Sequence, residues 1–528
     1  MSQEKLAVTA FFAFLLLLGL SVYNDYGLSW DEGLHHDAGV HALEYVVNGN
    51  RTLFSDMAAE YGVAFELPLA AAEKAVGWEY PKDSREIYLM RHLCTFLLFY
   101  VGVLFFYLLC RRHFGSWKAG LTGAFFLVLS PRIFANSFYN AKDLPFLSLS
   151  VIAVYTLLWY LDKKNYSRAS VHALACALPF NIRMAGIFVP ALTLMFASVD
   201  MVFRRPREKP APVVKSLLLF ALLFIALSYA IWPYLWADPA NKLWHAYEKT
   251  KNILPNANVF YFGEVINAAN LPWHYVPVWI AITTPSTYLF LFAVGVIVSL
   301  FRILKGPVRF DSSGKETMIF LCWLCLPLAA VIIGKVVIYN GWRHLFFIYP
   351  ALLIFSLEGL TFLMRKVESK FNGEHTFRLW GFNSKITAGS ILTIAVALSL
   401  AGTVSFMVKN HPQEGVYFNS LAGSNITEIQ GKFDMDYWGL SYRRALEYVL
   451  EKDGGERINI SVVNYPGGLN ALILKPGEKE RLVYVENLWD AEYYLTLDGN
   501  TRGCPQCKEE FYSIKAEDAK IMVVYKLK

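Results

Sequence analysis

Long apolar runs recur from the first residues to about residue 407, and they constrain the fold more than any other feature of this chain. A helix that crosses the hydrocarbon core of a bilayer needs roughly 20 mainly apolar residues. The runs lie at about 6–23, 90–110, 117–137, 144–161, 170–182, 185–203, 216–235, 276–301, 317–334, 343–363 and 386–407. We therefore predict a polytopic α-helical membrane protein with about eleven transmembrane helices.

Composition excludes several other classes. Hydrophobic residues make up 55% of the 528 residues and charged residues only 17%, whereas soluble proteins carry about 25% charged residues. So little charge cannot cover the surface of several soluble domains. The net charge of +6 comes from short basic clusters between the apolar runs, so no nucleic-acid partner is expected.

The basic clusters also predict topology. Lys and Arg concentrate in every second loop, at 111–118, 163–168, 204–215, 302–315 and 365–385. The positive-inside rule places these loops in the cytoplasm. We expect a cytoplasmic amino terminus, a retained signal anchor at 6–23, and location in the cytoplasmic (inner) membrane. The loops 24–89 and 236–275 are then outside.

The composition changes near residue 408. We predict a transmembrane module over 1–407 and an extracytoplasmic α/β domain over 408–528. In that domain an amphipathic helix is expected at Ser441–Lys452, and strands at 458–463, 481–485, 493–497 and 521–527. Cys504 and Cys507 form either a local disulfide or half of a zinc site.

Polar side chains next to apolar runs are the best candidates for function, because each costs about 2.5–3.5 kcal/mol at the bilayer centre. All of them map to the predicted outer side. They are Asp31 with Glu32, Lys142 with Asp143, Arg183, Arg343 with His344, and Arg91 with His92.

Each cluster also has a simpler explanation. Asp31 and Glu32 fit a solvated loop, and Asp143 fits a helix cap before Pro145. Arg91 and Arg343 fit interfacial anchors. Arg183, inside an apolar stretch, needs a carboxylate or phosphate partner or must extend to the interface.

Taken together, the clusters place a few carboxylates and several cations on one membrane face. That set suits a lipid with an anionic head group, such as a polyprenyl-phosphate sugar. A glycosidase needs two carboxyl groups because its leaving group is poor. A prenyl phosphate leaves readily, so cations that stabilise it and one carboxylate base are sufficient.

At these residues the chain resembles the membrane-embedded GT-C glycosyltransferases, in the branch of the protein O-mannosyltransferases and the lipid A aminoarabinose transferase. The likeness rests on Asp31-Glu32 after the first helix, the loop Lys142–Phe146, Arg183, and the layout of helices followed by an outer domain. It covers about residues 1–400 in architecture.

The resemblance implies roles for the candidate residues. Asp31 would be the general base, with Glu32 supporting it, and Asp143 would position the acceptor or the base. The donor-phosphate contacts would be Arg183, Lys142, Arg343, His344 and Arg91. The implied activity is inverting transfer of a sugar, a hexose or a pentose, from a polyprenyl-phosphate donor to a lipid, glycan or protein acceptor outside the membrane.

This chain departs from the pattern in places. Gly-Leu-His-His follows Asp-Glu, so neither relative's longer motif is reproduced, and no MIR-type sugar-binding domain is present. The segment Asp434–Gly439 is either a sugar-contacting surface or a structural corner. We expect no nucleotide, because no Gly-rich phosphate loop precedes a helix in this sequence.

No cofactor is required by this chemistry, although a divalent metal is compatible with it, and the spacing of His35, His36 and His92 is not diagnostic of a metal site. Two other functions stay open. A flippase for a lipid-linked sugar would use the same cations along a path through the membrane. In a non-catalytic scaffold Asp31 could be substituted without loss of function.

Overall fold

The computed structural model describes residues 2–56, 58–202, 210–251, 254, 256–305, 312–370, 375–379, 382–386, 388–497 and 504–528. Four stretches of the predicted cytoplasmic loops, 203–209, 306–311, 371–374 and 380–381, lie outside these residues.

Helices dominate the chain up to Asn410. They are α1 (Gln3–Val22), α2 (Glu32–Asn48), α3 (Glu66–Val76), α4 (Ser84–Phe114), α5 (Trp117–Val128), α6 (Pro131–Tyr139), α7 (Asp143–Asp162), α8 (Tyr166–Phe180), α9 (Phe188–Val202), α10 (Pro210–Ile231), α11 (Pro239–Lys251), α12 (Tyr275–Thr283), α13 (Ser286–Lys305), α14 (Ser312–Gly334), α15 (Tyr349–Lys370) and α16 (Ala388–Asn410). Two hairpins interrupt them, β1 (Asn258–Tyr261) with β2 (Glu264–Asn267) and β3 (His375–Leu379) with β4 (Phe382–Ile386).

Each predicted apolar run corresponds to helix, but fewer helices than expected have the length of a full crossing. Within the described ranges, nine helices are long and apolar enough to cross a membrane, or ten if the bent pair α5 and α6 counts as one crossing. That pair bends by 70° where Pro131 begins α6, because proline cannot continue the hydrogen bonds of α5. The run at 170–182 forms α8, which has only 15 residues and contains Pro179 near its end.

The first outer loop is folded rather than extended. Helices α2 and α3 pack against each other there, and α2 begins one residue after Asp31. Its first turn is tied to Ser29, whose backbone N–H donates to the Glu32 carboxylate at 2.6 Å. This loop therefore holds Asp31 at a fixed helix start.

The tail forms the predicted mixture of helix and sheet. Its helices are α17 (Ile426–Gln430), α18 (Ser441–Lys452), α19 (Tyr465–Leu469) and α20 (Pro476–Lys479). Its strands are β5 (Ile458–Val462), β6 (Leu482–Tyr484), β7 (Tyr493–Leu497), β8 (Glu509–Ala516) and β9 (Ala519–Lys526), in the sheet order β6-β5-β7-β9-β8. Strand β8 is an addition to the sequence prediction. Cys504 and Cys507 form a disulfide, as the first of the two alternatives predicted.

The tail is fastened to the first outer loop by buried hydrogen bonds. The Asn470 amide donates to the Leu28 carbonyl at 2.9 Å and accepts from the Leu28 N–H at 2.8 Å. Arg443 donates to the carbonyls of Asn24 and Tyr26 at 2.6 and 2.8 Å. The tail thus holds the segment 24–28, which leads into Asp31.

Helices α13 and α15 approach each other through glycine. A Cβ atom built on Gly359 would lie 2.0 Å from the Leu291 carbonyl oxygen, and one on Gly295 would lie 1.8 Å from the Phe355 oxygen. Small residues allow membrane helices to pack this closely. The crossing matters for the site because the short 3-10 helix Arg343–Ile348, which carries Arg343 and His344, leads directly into α15.

We predict that Gly359→Ala destabilises the protein by about 1–3 kcal/mol, because the new methyl group forces two helix backbones apart. The matched control is Gly402→Ala in α16, where an added Cβ has no neighbour within 4 Å. There the change should be neutral or stabilise by up to about 1 kcal/mol, through helix propensity. Thermal unfolding of both purified variants in one detergent tests this, and equal midpoints would contradict the packing account.

Candidate active site

Asp31 reaches across the first loop to Arg343. It precedes α2, but its carboxylate makes no capping hydrogen bond to that helix. Instead it accepts from Nη1 of Arg343 at 2.8 Å. Glu32 stabilises the turn before α2. Its carboxylate accepts from the Ser29 N–H at 2.6 Å and contacts Nε2 of His92 at 2.8 Å.

Asp143 is fixed by the turn between α6 and α7. The Asn140 side chain accepts from the Asp143 N–H at 2.8 Å and donates to its carboxylate at 3.0 Å. The Asp143 carboxylate also accepts from Arg183, and it lies 3.4 Å from Nη1 of Arg343. Asp143 is therefore the partner that Arg183 requires, and pairing with cations accounts for its carboxylate better than helix capping does.

These four side chains form a row, which we call the ion-pair cluster: Asp31, Arg343, Asp143 and Arg183. Arg343 occupies its centre and is only 2% exposed. Its guanidinium also lies 4.6 Å from the ring centroid of Trp438 in the tail and 5.0 Å from that of Tyr339. Two carboxylates and two guanidinium groups balance in charge, so the cluster is neutral before any anion binds.

The cluster keeps Asp31 ionised. Burial alone would raise the pKa of Asp31, but the positive charge of Arg343 outweighs it, and the net effect lowers the pKa below its usual value. Burial lowers the pKa of the neighbouring His35 to about 3, so this imidazole is neutral near pH 7. The stability that Asp31 contributes is present at neutral pH and is lost as the pH falls through its lowered pKa.

Four predicted residues, Glu32, Lys142, Arg91 and His344, make no hydrogen bond or ion pair with the cluster within the described part of the chain. Glu32 faces His92, as described above. Lys142 is buried, with Nζ 2.8 Å from the ring centroid of Tyr61, and burial together with Arg183 lowers its pKa. Arg91 is bonded to the carboxylates of Glu66 and Glu73 at 2.5 and 2.7 Å.

The contacts of Arg91 join α4 to α3. Two carboxylates already bind Nη1 and Nε of this buried guanidinium, while its Nη2 makes no hydrogen bond within the described residues. Both carboxylates can reach Arg91 because Glu66 and Glu73 lie two turns apart on the same face of α3.

A cavity of about 250 Å³ adjoins the cluster. Its lining is mostly apolar and comes from residues after α8, from α11 and α14, and from the segments 336–338 and 344–347 before α15. It includes Arg183, His344 and Tyr61. Three buried nitrogen atoms here make no hydrogen bond within the described part of the chain: Nε of Arg183, Nε of Arg343 and Nδ1 of His344. Buried donors without partners are costly, and a bound anion would satisfy them.

The side chains near the cluster do not fit a divalent-metal site. Asp31 and Asp143 both face Arg343, and His36 and His92 are bonded to carboxylates. Among the described residues, no group of three or more His, Cys, Asp or Glu side chains is placed to hold a metal ion.

The Asp434–Gly439 segment has a structural role at its centre. The Asp436 carboxylate accepts from the backbone N–H groups of Gly439, Leu440 and Ser441 at 3.1, 3.2 and 2.9 Å. It thereby starts α18, and Trp438 is turned inward onto Arg343. Of the two alternatives for this segment, the geometry favours the structural corner.

One contact of the site has no signal in the sequence. Tyr61 lines the cavity and lies under Lys142, yet it comes from an ordinary-looking stretch of the first outer loop. Only the folding of that loop against the break after α8 brings it there, through the bond from the Ala64 N–H to the Asn181 carbonyl at 3.1 Å.

Comparison with known families matches residues 87–232 to the model for dolichyl-phosphate-mannose-protein mannosyltransferase. The matched segment contains Lys142, Asp143 and Arg183 and leaves Asp31 and Arg343 outside it. A comparison with curated proteins finds no match.

Solved structures of the oligosaccharyltransferase of Archaeoglobus fulgidus are similar in fold. Its apo form matches with 12% identity and a TM-score of 0.50, over 92% of this chain and 65% of the archaeal chain. Its complex with an inhibitory peptide and dolichol-phosphate gives 10% identity, coverage of 94% and 70%, and a TM-score of 0.45. Its complex with Zn and sulfate matches with 11% identity and a TM-score of 0.39, over 83% of this chain and 59% of the archaeal chain.

The family match and the similarity to the apo structure confirm the predicted resemblance and the predicted fold class. The chain has a GT-C-type fold, with a polytopic helical module followed by a region that contains a sheet. It is similar to membrane glycosyltransferases, and its many apolar helices are those of an integral membrane protein.

We predict strong energetic coupling between Asp31 and Arg343. Arg343→Met should cost about 3–5 kcal/mol of stability, because it leaves buried carboxylates without their shared cation. Adding Asp31→Asn should recover part of that loss, with a coupling energy of about 0.5–3 kcal/mol. Thermal unfolding of the two single variants and the double variant measures this.

The control for this cycle is the exposed pair Glu451 and Lys452, whose side chains are 68% and 46% exposed. The same cycle with alanine there should give a coupling of about 0–1 kcal/mol. Additive effects at Asp31 and Arg343 would mean that the bridge contributes no more than such a surface pair.

Proposed function

We propose that this protein is a glycosyltransferase that moves one sugar from a polyprenyl-phosphate donor to an acceptor on the outer face of the cytoplasmic membrane. The observation that carries the proposal is the ion-pair cluster beside an apolar cavity. A carboxylate base, cations for a phosphate and room for a lipid chain lie together there. The similarity of residues 87–232 to dolichyl-phosphate-mannose-protein mannosyltransferases supports the same donor class.

In this proposal Arg183, Arg343 and His344 bind the donor phosphate. Their buried nitrogens Nε, Nε and Nδ1 make no hydrogen bond within the described residues. Charge-assisted hydrogen bonds from guanidinium groups to phosphate oxygens are among the strongest available to a protein. Arg343 can make such a bond while its Nη1 stays on Asp31 and Asp143.

The apolar cavity receives the first part of the prenyl chain. Its lining includes Ile187, Phe188, Val331, Val337 and Phe347, so burial of a hydrocarbon chain there is favourable by about 25 cal/mol per Å². The chain is thereby oriented with its phosphate at Arg183 and His344, which lie in the same lining. This arrangement separates the lipid from the side on which the acceptor must arrive.

The reaction we propose is a single displacement. The acceptor hydroxyl oxygen attacks the anomeric carbon, the bond from that carbon to the phosphate oxygen breaks, and its electron pair leaves with the phosphate. The hydroxyl proton passes to Asp31, and the guanidinium groups stabilise the phosphate as its charge increases. One displacement inverts the configuration at the anomeric carbon.

The remaining predicted residues have supporting roles in this scheme. Asp143 holds both guanidinium groups in place, and Glu32 fixes the turn that carries Asp31 through Ser29 and His92. Lys142 lies buried against the ring of Tyr61 and helps to shape the site. Arg91 is a structural residue between α3 and α4. No step passes through a metal.

The first test is Asp31→Asn. Loss of the base should reduce transfer from a polyprenyl-phosphate sugar by about 10²–10⁴-fold, the usual contribution of general base catalysis. Stabilisation of the purified protein by polyprenyl phosphate alone should persist, because the cations remain. The assay measures labelled sugar transferred to a panel of lipid, glycan and peptide acceptors.

Asp37→Asn is the control for this test, since Asp37 lies on the same helix with a side chain that is 56% exposed and faces His36. It should retain nearly full transfer. Undiminished transfer by Asp31→Asn would overturn the base assignment, and donor movement across liposomes without any transfer would favour a flippase.

The pH dependence of transfer gives a second test. Since Arg343 holds the pKa of Asp31 below its usual value, the base stays ionised throughout the mildly acidic range. We expect kcat/KM to be level between about pH 7 and pH 5, because the acid limb reports the base of the free enzyme. An acid limb centred near pH 6 would contradict the assignment of Asp31.

A further inference from the structure

Two exposed aromatic rings stand beside Asp31. Trp30 directly precedes it and is 41% exposed, and Tyr465 of α19 is 56% exposed. Their ring centroids are 6.0 Å apart and their planes are inclined by 54°. We call this pair the aromatic platform. Single exposed aromatics are ordinary, but two held in contact next to a candidate base indicate a binding surface.

The fold holds both rings in place. The Trp30 N–H donates to the Trp438 carbonyl at 3.2 Å, which ties the first ring to the segment that covers Arg343. Tyr465 leans over the first turn of α2, where a Cβ on Gly33 would lie 3.1 Å from its hydroxyl oxygen. The platform therefore lies at the interface between the first outer loop and the tail.

The backbone on both sides of Tyr465 is held by close packing and by a buried hydrogen bond. Gly439 has φ +73°, and a Cβ atom there would lie 2.5 Å from Pro466, the residue after Tyr465. On the other side, Asn470 at the end of α19 is bonded to Leu28. The position of Tyr465 thus depends on the close approach at Gly439 and on the buried amide of Asn470, although its ring is left in solvent.

We propose that the aromatic platform binds the acceptor and that the acceptor is a carbohydrate. This rests on the proposed function, in which an acceptor hydroxyl must reach Asp31. A pyranose ring has a face of C–H groups, which packs on the negative faces of aromatic rings, and an edge of hydroxyl groups. Stacking on Trp30 and Tyr465 would direct such an edge toward Asp31.

Other acceptor chemistries match the surface less well. An acyl chain favours a continuous apolar surface, whereas the platform adjoins the charged Asp31. An extended peptide is usually bound through backbone hydrogen bonds to a strand edge, and neither Trp30 nor Tyr465 belongs to a strand. Rigid aromatic side chains also lose little conformational entropy when they bind, which suits the weak recognition of a neutral sugar.

The test measures binding of defined probes to the full-length protein in detergent. The probes are mannotetraose, maltotetraose and chitotetraose, a Ser/Thr-rich peptide, and phosphatidylglycerol vesicles. The variants are Trp30→Ala and Tyr465→Ala, with Trp30→Phe and Tyr465→Phe as conservative partners. Trp489→Ala is the matched control, because Trp489 is a tail tryptophan that is 68% exposed and has no ring contact among the described residues.

We expect at least one tetrasaccharide to bind, with about tenfold weaker affinity in each alanine variant, as expected when an aromatic contact is lost. The phenylalanine variants should stay within about threefold of the wild type, and Trp489→Ala should be unchanged. Saccharide binding that is absent, or that is equal in Trp30→Ala and wild type, would overturn the proposal. So would peptide or vesicle binding that alone depends on the two rings.

Donor binding separates this proposal from the proposed function. Stabilisation by polyprenyl phosphate should be the same in Trp30→Ala, Tyr465→Ala and wild type, which also shows that the variants are folded. Failure of the wild type to be stabilised by polyprenyl phosphate would count against the proposed function alone. Saccharide binding that depends on the platform would then still stand.

Discussion

The structure depends on one buried guanidinium, that of Arg343, placed between two carboxylates. Asp31 comes from the first outer loop, Asp143 from the turn between α6 and α7, and Arg343 from the segment that leads into α15. A buried charge must be compensated, so these three parts of the chain are held in one relative arrangement. Trp438 closes the group from the tail. The same contacts that hold these parts of the chain together therefore define the candidate site.

The charge balance of the cluster links stability to function. Two carboxylates neutralise two guanidinium groups, which lets the buried cluster exist without a ligand. The guanidinium groups nevertheless have nitrogen atoms left without partners among the described residues. An anion can therefore bind without disrupting the pairs. Such a site is organised before the donor arrives, which reduces the cost of rearrangement during the reaction.

The sequence predicted the elements better than their contacts. The run from Ser441 to Lys452 was assigned its helix because its apolar residues recur at helical spacing. Strand β8, Glu509–Ala516, was missed because its residues have an irregular burial pattern. Likewise α8 was counted as a crossing from its apolar composition, although Pro179 and its length limit it. Hydropathy reports composition, and it does not report where a proline bends or ends a helix.

For the site, residue chemistry indicated which side chains were unusual but not how they pair. Arg183 and Arg91 looked alike as cations beside apolar runs, yet one pairs with a single carboxylate at the cavity and the other with two carboxylates of α3. That difference depends on how the first outer loop folds. Tyr61, Tyr465 and the inward turn of Trp438 depend on the same long-range packing, which no local pattern encodes.

The most direct test of the central claim is an experimental structure of the full-length protein with polyprenyl phosphate bound in lipid nanodiscs. The account predicts that the phosphate lies within about 3 Å of nitrogen atoms of Arg183, Arg343 or His344, with the prenyl chain in the adjoining cavity and the Asp31–Arg343 contact intact. A phosphate bound elsewhere, with the cavity and the ion-pair cluster free of ligand, would contradict it.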